Sequence, residues 1–478
     1  MVALDFFALM PLLILAASSV IIMLLIAFRL SHRIIQVSSL LLFSLAFLAL
    51  VFIKSITPYS IHPLLIVDGF SVFIMGLTIF SSLVINVLSY IYFEEKEEGP
   101  KEYYVLLLLA TLGSCVLACS QHFVSFFLGL ELLSVALYAL IAYLRARNHP
   151  IEAGIKYLVL AAFSSAFLLF GMALLYMETG QMEFLLIAGQ LTSAHEISIR
   201  ILAGLALMLV GVGFKLAVVP FHIWAADVYQ GASAPIAAFI ATASKAGVLA
   251  VLIRFSISID ALSMYTVQLT VMGIAIASMI MGNFLALRQA NIKRLLAYSS
   301  IAHFGYVLIA FTALNSMSTP AVCFYILTYF LNTLTAFGVV TLLSTKESDA
   351  EGIENYESLF WRKPLLASIL TVSLLSLAGL PLTVGFIGKF YLLVATVKTG
   401  LWLGATVLVL TSVVGLFYYL RIISAMFSTS HREKQSESSV HPFFYLLSTI
   451  TLGSIMVIII GLGVYPAQVL HLMERLIG

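Results

Sequence analysis

Four ionisable side chains lie deep inside long apolar stretches of this 478-residue sequence: Glu131, Lys215, Lys245 and Lys389. A charge at the centre of a membrane helix costs about 2.5–3.5 kcal/mol on insertion scales, so such groups face a protein interior, pair or contact water. Burial disfavours the charged form of a lysine, and a nearby carboxylate favours it. A static Glu–Lys bridge is the alternative, although apolar residues can often replace such a bridge at little cost. The four groups together therefore favour a path for protons or other ions.

Four further polar residues are candidates, of which His303 is placed on the proton path and the other three are weaker. His303 is either a proton relay, because the pKa of histidine is near neutral, or a hydrogen-bonded core residue. His222 lies where a proline interrupts a helical pattern, and we interpret it as structural. Lys156 is near a helix end, where a lysine side chain can reach the membrane surface. Asp227 is expected in the hydrated part of the same interruption.

The composition places these residues in a membrane protein. The sequence is 62% hydrophobic and 10% charged, whereas soluble domains are about 45–50% apolar and about 25% charged. A span of about 20 apolar residues matches a hydrocarbon core of roughly 30 Å. The sequence predicts an all-α integral membrane protein with about fourteen transmembrane helices, at residues 6–28, 34–53, 70–93, 103–120, 122–144, 154–177, 200–219, 236–256, 264–286, 295–313, 318–343, 364–398 (interrupted), 402–426 and 443–468.

Several other classes of protein find no support in the sequence. Cys115 and Cys119 lie one helical turn apart in an apolar run, and we interpret them as packing residues rather than metal ligands. An iron–sulfur cluster normally takes four ligands, and the chain has three cysteines. The net charge of +2 and the absence of a basic tract give no indication of nucleic acid binding. No glycine-rich nucleotide fingerprint is present, so we expect no cofactor in this chain.

Twelve of the 24 basic residues fall on alternate loops, on one side of the predicted topology. They are Arg29, Arg33, Arg145, Arg147, Arg288, Lys293, Arg294, Arg362, Lys363, Arg421, Arg432 and Lys434. The opposite loops, such as 314–319 and 257–263, are nearly free of Lys and Arg. The positive-inside rule makes that side cytoplasmic and places both termini outside. The mainly acidic loop at 94–102 falls on the same side, which the rule tolerates because acidic residues contribute little to it. The first span has no basic leader or cleavage site, so we expect a retained helix.

Two of the predicted helices are interrupted. Pro220 and Pro235 bracket one interruption, and Pro381 with neighbouring glycines marks the other. Irregular backbone at membrane depth is tolerated only inside protein or beside a wet cavity. The seventh and twelfth spans carry the breaks, five apart, and a unit of five helices reverses its orientation on repeating. This predicts two inverted five-helix repeats, at 101–256 and 257–427, between a three-helix segment at 1–100 and a C-terminal helix at 428–478; two ordinary proline kinks are the alternative.

Long motifs resemble those of the antiporter-like membrane subunits of respiratory complex I. The stretches that carry the resemblance are FFLGLELLS, GVGFKLAVVPFHIWAADVYQGASAPIAAFIATASKAG, NIKRLLAYSSIAHFGY and LSLAGLPLTVGFIGKFY. The likeness covers nearly the whole chain and is closest to the bacterial subunit N branch, because Lys389 stands where the subunit M pattern has a glutamate. The subunit L branch continues into a long lateral helix, which we do not expect here. One departure is AAD at 225–227, where the family often has TPD.

The resemblance implies a role for each candidate. Glu131 and Lys215 would form the coupling pair of a first half-channel, with Lys245 as the central relay. His303 would bridge towards Lys389, which would lead to the outer side. The chain would be a proton-translocating subunit of the NADH:quinone oxidoreductase in the inner membrane of a bacterium. NADH, FMN, iron–sulfur clusters and quinone would belong to partner subunits, which comprise other membrane subunits and, through them, the peripheral arm; membrane lipid would surround the chain.

Three other functions are compatible with the residues. A cation/proton antiporter or a membrane-bound hydrogenase subunit shares this fold. A secondary solute transporter needs a polar substrate cavity, whereas the sequence offers a series of single charges. A membrane scaffold that conducts nothing would have to bear four buried charges without using them. Identifying the partners that purify with the chain separates these alternatives.

Overall fold

The computed structural model is almost entirely helical. It describes residues 3–94, 100–144, 148–193, 198–313, 317–345, 348–429 and 442–477. The helices are α1 (Ala3–Ala8), α2 (Met10–Ala27), α3 (His32–Ile53), α4 (Gly69–Glu94), α5 (Glu102–Cys119), α6 (Phe123–Ile141), α7 (Asn148–Thr179), α8 (Phe184–Ser193), α9 (Ile199–Leu216), α10 (Ile223–Gly231), α11 (Ala234–Ala241), α12 (Ala243–Ser258), α13 (Tyr265–Leu287), α14 (Ile292–Phe311), α15 (Ser318–Leu343), α16 (Leu359–Arg362), α17 (Pro364–Ala378), α18 (Val384–Lys398), α19 (Trp402–Phe427), α20 (Pro442–Val464) and α21 (Ala467–Ile477).

The predicted spans agree with these helices. Within the described residues, thirteen helices are long and apolar enough to cross a membrane. The remaining predicted span is the interrupted one at 364–398, which forms α17 and α18 of 15 residues each. The all-α membrane fold with about fourteen spans is therefore confirmed. Of the predicted loops, Arg145 and Arg147, residues 95–99 of the acidic loop, and Arg432 and Lys434 lie outside the described residues.

Local sequence explains several helix starts. Ser31, Ser198 and Asn291 each accept a hydrogen bond from a backbone amide of the first turn, at α3, α9 and α14. Such caps satisfy amides that have no intrahelical partner. Pro364 begins α17, a position where its missing amide hydrogen costs nothing.

A short hairpin was not predicted from the sequence. Strands β1 (Tyr59–Ile61) and β2 (Leu65–Val67) pair antiparallel ahead of α4. Asp68 follows β2 and accepts two hydrogen bonds from Arg254, at 2.7 and 2.9 Å. Burial raises the pKa of Asp68, but the hydrogen bonds and charge of Arg254 outweigh it, so the pKa lies below its usual value.

The chain contacts divide into two compact units, and each is discontinuous in sequence. The first comprises Met1–Leu83, Lys101–Trp224 and Ala243–Ile274, and the second comprises Val84–Pro100, Ala225–Thr242 and Ala275–Gly478. Within the first unit α7 packs along α9, and α5 packs against α2, α6 and α12. Within the second unit α15 packs against α11, α17 and α18. The cores of both units are apolar, with α14 and α15 almost wholly buried.

Candidate functional site

Lys215 lies at the end of the first interrupted helix. Helix α9 stops at Leu216, Ala217 adopts a left-handed conformation, and the chain is irregular until α10. Lys215 is 3% exposed. Its ammonium group donates hydrogen bonds to the Ser134 hydroxyl at 2.6 Å and to the Tyr157 hydroxyl at 3.3 Å. These partners are neutral, so they satisfy the donors without compensating the charge.

Glu131 lies on α6, one turn before Ser134. Its carboxylate accepts a hydrogen bond of 2.6 Å from Ser165 on α7. Among the described residues, Glu131 and Lys215 are not joined by an ion pair. The structure therefore places the Lys215 ammonium against the face of α6 that carries Glu131, without an ion pair between the two side chains. The energetic coupling predicted for them stays a prediction.

Lys245 follows an interruption that the sequence did not indicate. Thr242 breaks the eighth span between α11 and α12 with a non-helical backbone conformation. Lys245 lies at the start of α12 and is fully buried. Close by, the Ser114 hydroxyl of α5 donates a hydrogen bond of 2.6 Å to the Ala243 carbonyl.

Lys389 lies beyond the second break, in the second turn of α18. Helix α17 ends at Ala378, and Gly379 closes it in a left-handed conformation with φ of 85°. The Lys389 ammonium donates to the Ala378 carbonyl at 2.9 Å and to the Ser412 hydroxyl at 2.7 Å. It also lies 5.4 Å from the centre of the Tyr306 ring. Lys389 is 8% exposed.

His303 is held at both ring nitrogens. Nδ1 is 2.6 Å from the Tyr325 hydroxyl, and Nε2 is 3.2 Å from the Tyr419 hydroxyl. Tyr419 is also hydrogen-bonded to Ser299. Hydroxyls can donate or accept, so this environment accommodates either tautomer of the imidazole.

A polar stripe near His303 was missed from the sequence. Tyr325, Thr328, Tyr329 and Asn332 recur at the spacing that places side chains on one face of α15. They line, with residues of the second break, a buried space between His303 and Lys389; its lining is His303, Tyr325, Thr328, Tyr329, Asn332, Ser376, Leu377, Gly385 and Lys389. The signal that could have found the stripe is the run YILTYFLN at 325–332, whose polar positions are three or four apart.

The weaker candidates have different surroundings. Half-buried His222 lies in the first break, and its Nδ1 finds no hydrogen-bond partner in the described part of the chain. Lys156 is exposed on α7 and pairs with Glu152 at 2.7 Å. Asp227 does not lie in irregular backbone; it is within α10 and pairs with Arg294 at 2.7 Å. The irregular backbone of the first break ends where α10 begins, at Ile223, four residues before Asp227.

Lys293 was assigned to a loop and instead begins α14. It is buried, and its ammonium contacts Asp349 at 2.8 Å, Glu351 at 3.3 Å and the Ala232 carbonyl at 2.7 Å. Asp349 also accepts a hydrogen bond from Tyr92 at 2.6 Å. This cluster joins four segments of the second unit by compensated charges, unlike the neutral surroundings of Lys215.

Comparison with known proteins adds three findings. A family model described as "NADH:quinone oxidoreductase/Mrp antiporter, TM" matches residues 120–415. NADH-quinone oxidoreductase subunit N of Ectopseudomonas mendocina (strain ymp) is 44% identical over 481 residues, covering 98% of this chain and 96% of that protein. A chain of respiratory complex I from Thermus thermophilus with bound aureothin is 33% identical, with a TM-score of 0.81 over 96% of this chain and 98% of that chain.

The Mrp complex from Dietzia sp. DQ12-45-1b gives a TM-score of 0.85 at 20% identity, over 98% of this chain and 96% of that chain, and this likeness shows the fold alone. The sequence likeness, in contrast, spans almost the full length of this chain and of its relative. The region that the family model matches contains Lys215, Lys245 and Lys389. The chain belongs to the membrane family of NADH:quinone oxidoreductase and Mrp antiporter subunits.

Proposed function

We propose that this chain is a proton-translocating membrane subunit of NADH:quinone oxidoreductase, of the subunit N type. The observation that carries the proposal is the environment of Lys215 and Lys389. Both side chains are buried on apolar helices, and both ammonium groups are hydrogen-bonded to neutral oxygen atoms. An ammonium in that setting is costly, and a side chain that bears such a cost can exist in either protonation state. The relative of 44% identity supports the choice of complex.

The candidates divide between the two units. Glu131, Lys215 and Lys245 act in the first unit, and His303 and Lys389 act in the second. The lysines accept and release protons, and His303 passes a proton along its hydrogen bonds to tyrosine hydroxyls.

Glu131 acts as the switch for Lys215. A carboxylate that approaches a buried lysine favours its protonated form, and a carboxylate that withdraws favours release of the proton. Glu131 is hydrogen-bonded to Ser165 and Lys215 to Ser134, which corresponds to the separated arrangement. Rotation of the Glu131 side chain away from Ser165 would bring the charges together.

The electron-transfer chemistry belongs to other subunits. NADH, FMN, iron–sulfur clusters and quinone would act in those subunits, and this chain would contact other membrane subunits and, through them, the peripheral arm. The chain would reside among the lipids of a bacterial inner membrane with both termini periplasmic, as the basic residues of alternate loops indicate.

We also propose an inverted repeat, with 101–256 and 257–427 as its halves and 1–100 and 428–478 flanking them. It is supported by the two interruptions, which follow α9 and α17 at a separation of five spans. Superposing the halves of an experimental structure, one of them reversed, tests the repeat. The repeat would be excluded if the two broken helices did not superpose on each other.

The test of proton translocation uses Lys389 in the assembled complex. Lys389→Ala should abolish proton uptake coupled to NADH oxidation in vesicles, because the chain loses a proton-accepting group. Lys389→Arg should also fail, since arginine does not release its proton. Lys389→Glu should keep part of the function, because a carboxylate can carry a proton and the subunit M pattern has a glutamate there.

Lys398→Ala is the matched control. Lys398 lies on the same helix, nine residues later, and is exposed. This variant should pump like the unmodified protein, and native gels should show equal assembly for all variants. Normal pumping by Lys389→Arg would make Lys389 a fixed charge and would refute its role as a proton carrier.

A further inference from the structure

Asn332 is the least satisfied member of the polar stripe on α15. The side chain is fully buried, and neither its amide nitrogen nor its amide oxygen has a hydrogen-bond partner among the described residues. Removing such a group from water without a partner is costly, and leucine would occupy the same place without that cost. A buried amide of this kind requires an explanation other than stability.

The position of Asn332 supplies one. It lines the space between His303 and Lys389, two residues assigned to the proton path. Tyr325 also lines that space, and its hydroxyl is hydrogen-bonded to His303 Nδ1 at 2.6 Å. Ser376, at the end of α17, lines the same space. Asn332 therefore lines the same space as the imidazole of His303 and the amine of Lys389.

The space is too narrow for water in this conformation, because it admits no water-sized sphere. Gly388 of α18 lies close against Tyr325 and Thr328, since a Cβ there would be 2.9 Å from the Tyr325 ring and 3.3 Å from the Thr328 hydroxyl. Water can enter only after α18 or these side chains shift.

We propose that Asn332 positions a water molecule that carries a proton between Tyr325 and Lys389 when this space opens. The inference rests on the proposed function. Protonated His303 gives the Nδ1 proton to the Tyr325 oxygen, and Tyr325 gives its own hydroxyl proton to the water. The water gives one of its original protons to the neutral amine of Lys389. His303 ends neutral, Lys389 ends charged, and Tyr325 and the water are unchanged.

The amide suits this task because it does not titrate. Its oxygen accepts from the water and its nitrogen donates to it, so the water is held without competing for the proton. The unpaired amide also destabilises the closed arrangement relative to the open one. A leucine would stabilise the closed arrangement and keep the space dry.

The test compares Asn332→Leu with Asn332→Ser in the whole complex. Asn332→Leu should raise the midpoint of thermal unfolding and lower proton uptake and NADH–quinone turnover on the order of tenfold or more, as expected for loss of an assisted proton transfer. Asn332→Ser keeps a hydroxyl beside added room for water, and should recover most of the turnover. A purely structural asparagine would not show greater stability together with lower turnover.

Ser448→Ala is the matched control, because the Ser448 hydroxyl on α20 is also buried, has no hydrogen-bond partner within the described part of the chain and does not line this space. It should raise stability and leave pumping unchanged.

Normal pumping by Asn332→Leu, or equal loss in Asn332→Leu and Asn332→Ser, would overturn the inference. If Asn332→Leu does not assemble, the turnover of Asn332→Ser decides: a loss comparable to that of Lys389→Ala overturns the inference. Lys389→Ala, measured in parallel, distinguishes failure of this inference from failure of the proposed function, since normal pumping by that variant would refute the proposed function itself.

Discussion

Substitution of Gly379 by alanine should impair proton transfer by displacing Lys389. Gly379 closes α17 with φ of 85°, and its amide donates to Leu375 and Ser376 at 3.0 Å each. A left-handed conformation costs an alanine roughly 1–2 kcal/mol. Its Cβ would also lie 2.9 Å from Lys389 Cδ and 3.3 Å from Nζ, so the flexible lysine side chain must move.

This movement should lengthen or break the hydrogen bonds that the Lys389 ammonium donates to the Ala378 carbonyl at 2.9 Å and to the Ser412 hydroxyl at 2.7 Å. Loss of one bond to a charged group is worth about 1.5–3 kcal/mol. Each 1.36 kcal/mol in a barrier changes a rate about tenfold, so proton-coupled turnover should fall by at least about tenfold where that step limits the rate. The assay is NADH–quinone turnover with proton uptake in vesicles, together with the midpoint of thermal unfolding.

Gly400→Ala separates strain from displacement. Gly400 has φ of 76°, and a Cβ there would meet no atom within 4 Å. Gly400→Ala should therefore lose only the roughly 1–2 kcal/mol of stability that the strain costs and keep its turnover, whereas Gly379→Ala should lose more stability and also lose turnover. Equal turnover in the two variants would refute the claim that the position of Lys389 limits proton transfer.

Three further measurements test other parts of the molecule. Glu131→Ala and Lys215→Ala should each reduce pumping, and the double variant should lose less than the sum, because neither partner is left alone; strict additivity in an assembled complex would count against the pair. Asp349→Asn should destabilise the protein by about 3 kcal/mol, since it removes a carboxylate 2.8 Å from buried Lys293; an unchanged unfolding midpoint would show that the remaining partners suffice. A cysteine at exposed Ala290 should react with a reagent supplied from the cytoplasmic side, and labelling from the periplasm would reverse the proposed topology.

The spans were predictable because the membrane imposes one dominant constraint. Long uncharged runs such as 402–420 leave only a helix that satisfies its own backbone groups. Pro381 and Gly379 marked the second break for the same reason, since proline removes a donor and glycine permits a left-handed turn. The break at Thr242 carries no such residue, so the sequence did not mark it; in the structure the Thr242 hydroxyl donates a hydrogen bond of 2.6 Å to the Ala238 carbonyl, a local bond that often bends helices.

The candidate site was predictable only in its charges. Lys215 and Lys389 stand out because their cost in a membrane is high, whereas the partners that hold them are ordinary serines and tyrosines. Which hydroxyl meets which ammonium depends on how the helices pack, and a single sequence does not specify that. Asn332 is neutral, so the sequence does not set it apart from other polar residues, although neither atom of its amide group has a hydrogen-bond partner among the residues that the structure describes.

The interruptions and the lysines have a common physical origin. The last four carbonyls of a helix lack intrahelical partners, and the helix end carries a partial negative charge that favours a cation. Lys215 lies in the last turn of its own helix, and Lys389 donates to Ala378, the last residue of α17. Such an end can contribute up to about 2 kcal/mol in favourable, partly buried geometry, against an insertion cost of about 2.5–3.5 kcal/mol. Because the two terms nearly balance, a modest change such as a carboxylate approaching, or water entering, is enough to change whether the lysine holds a proton. Helix α17 has 15 residues and ends inside the predicted span at 364–398, so the second break brings a carbonyl end into the interior of that span, beside Lys389.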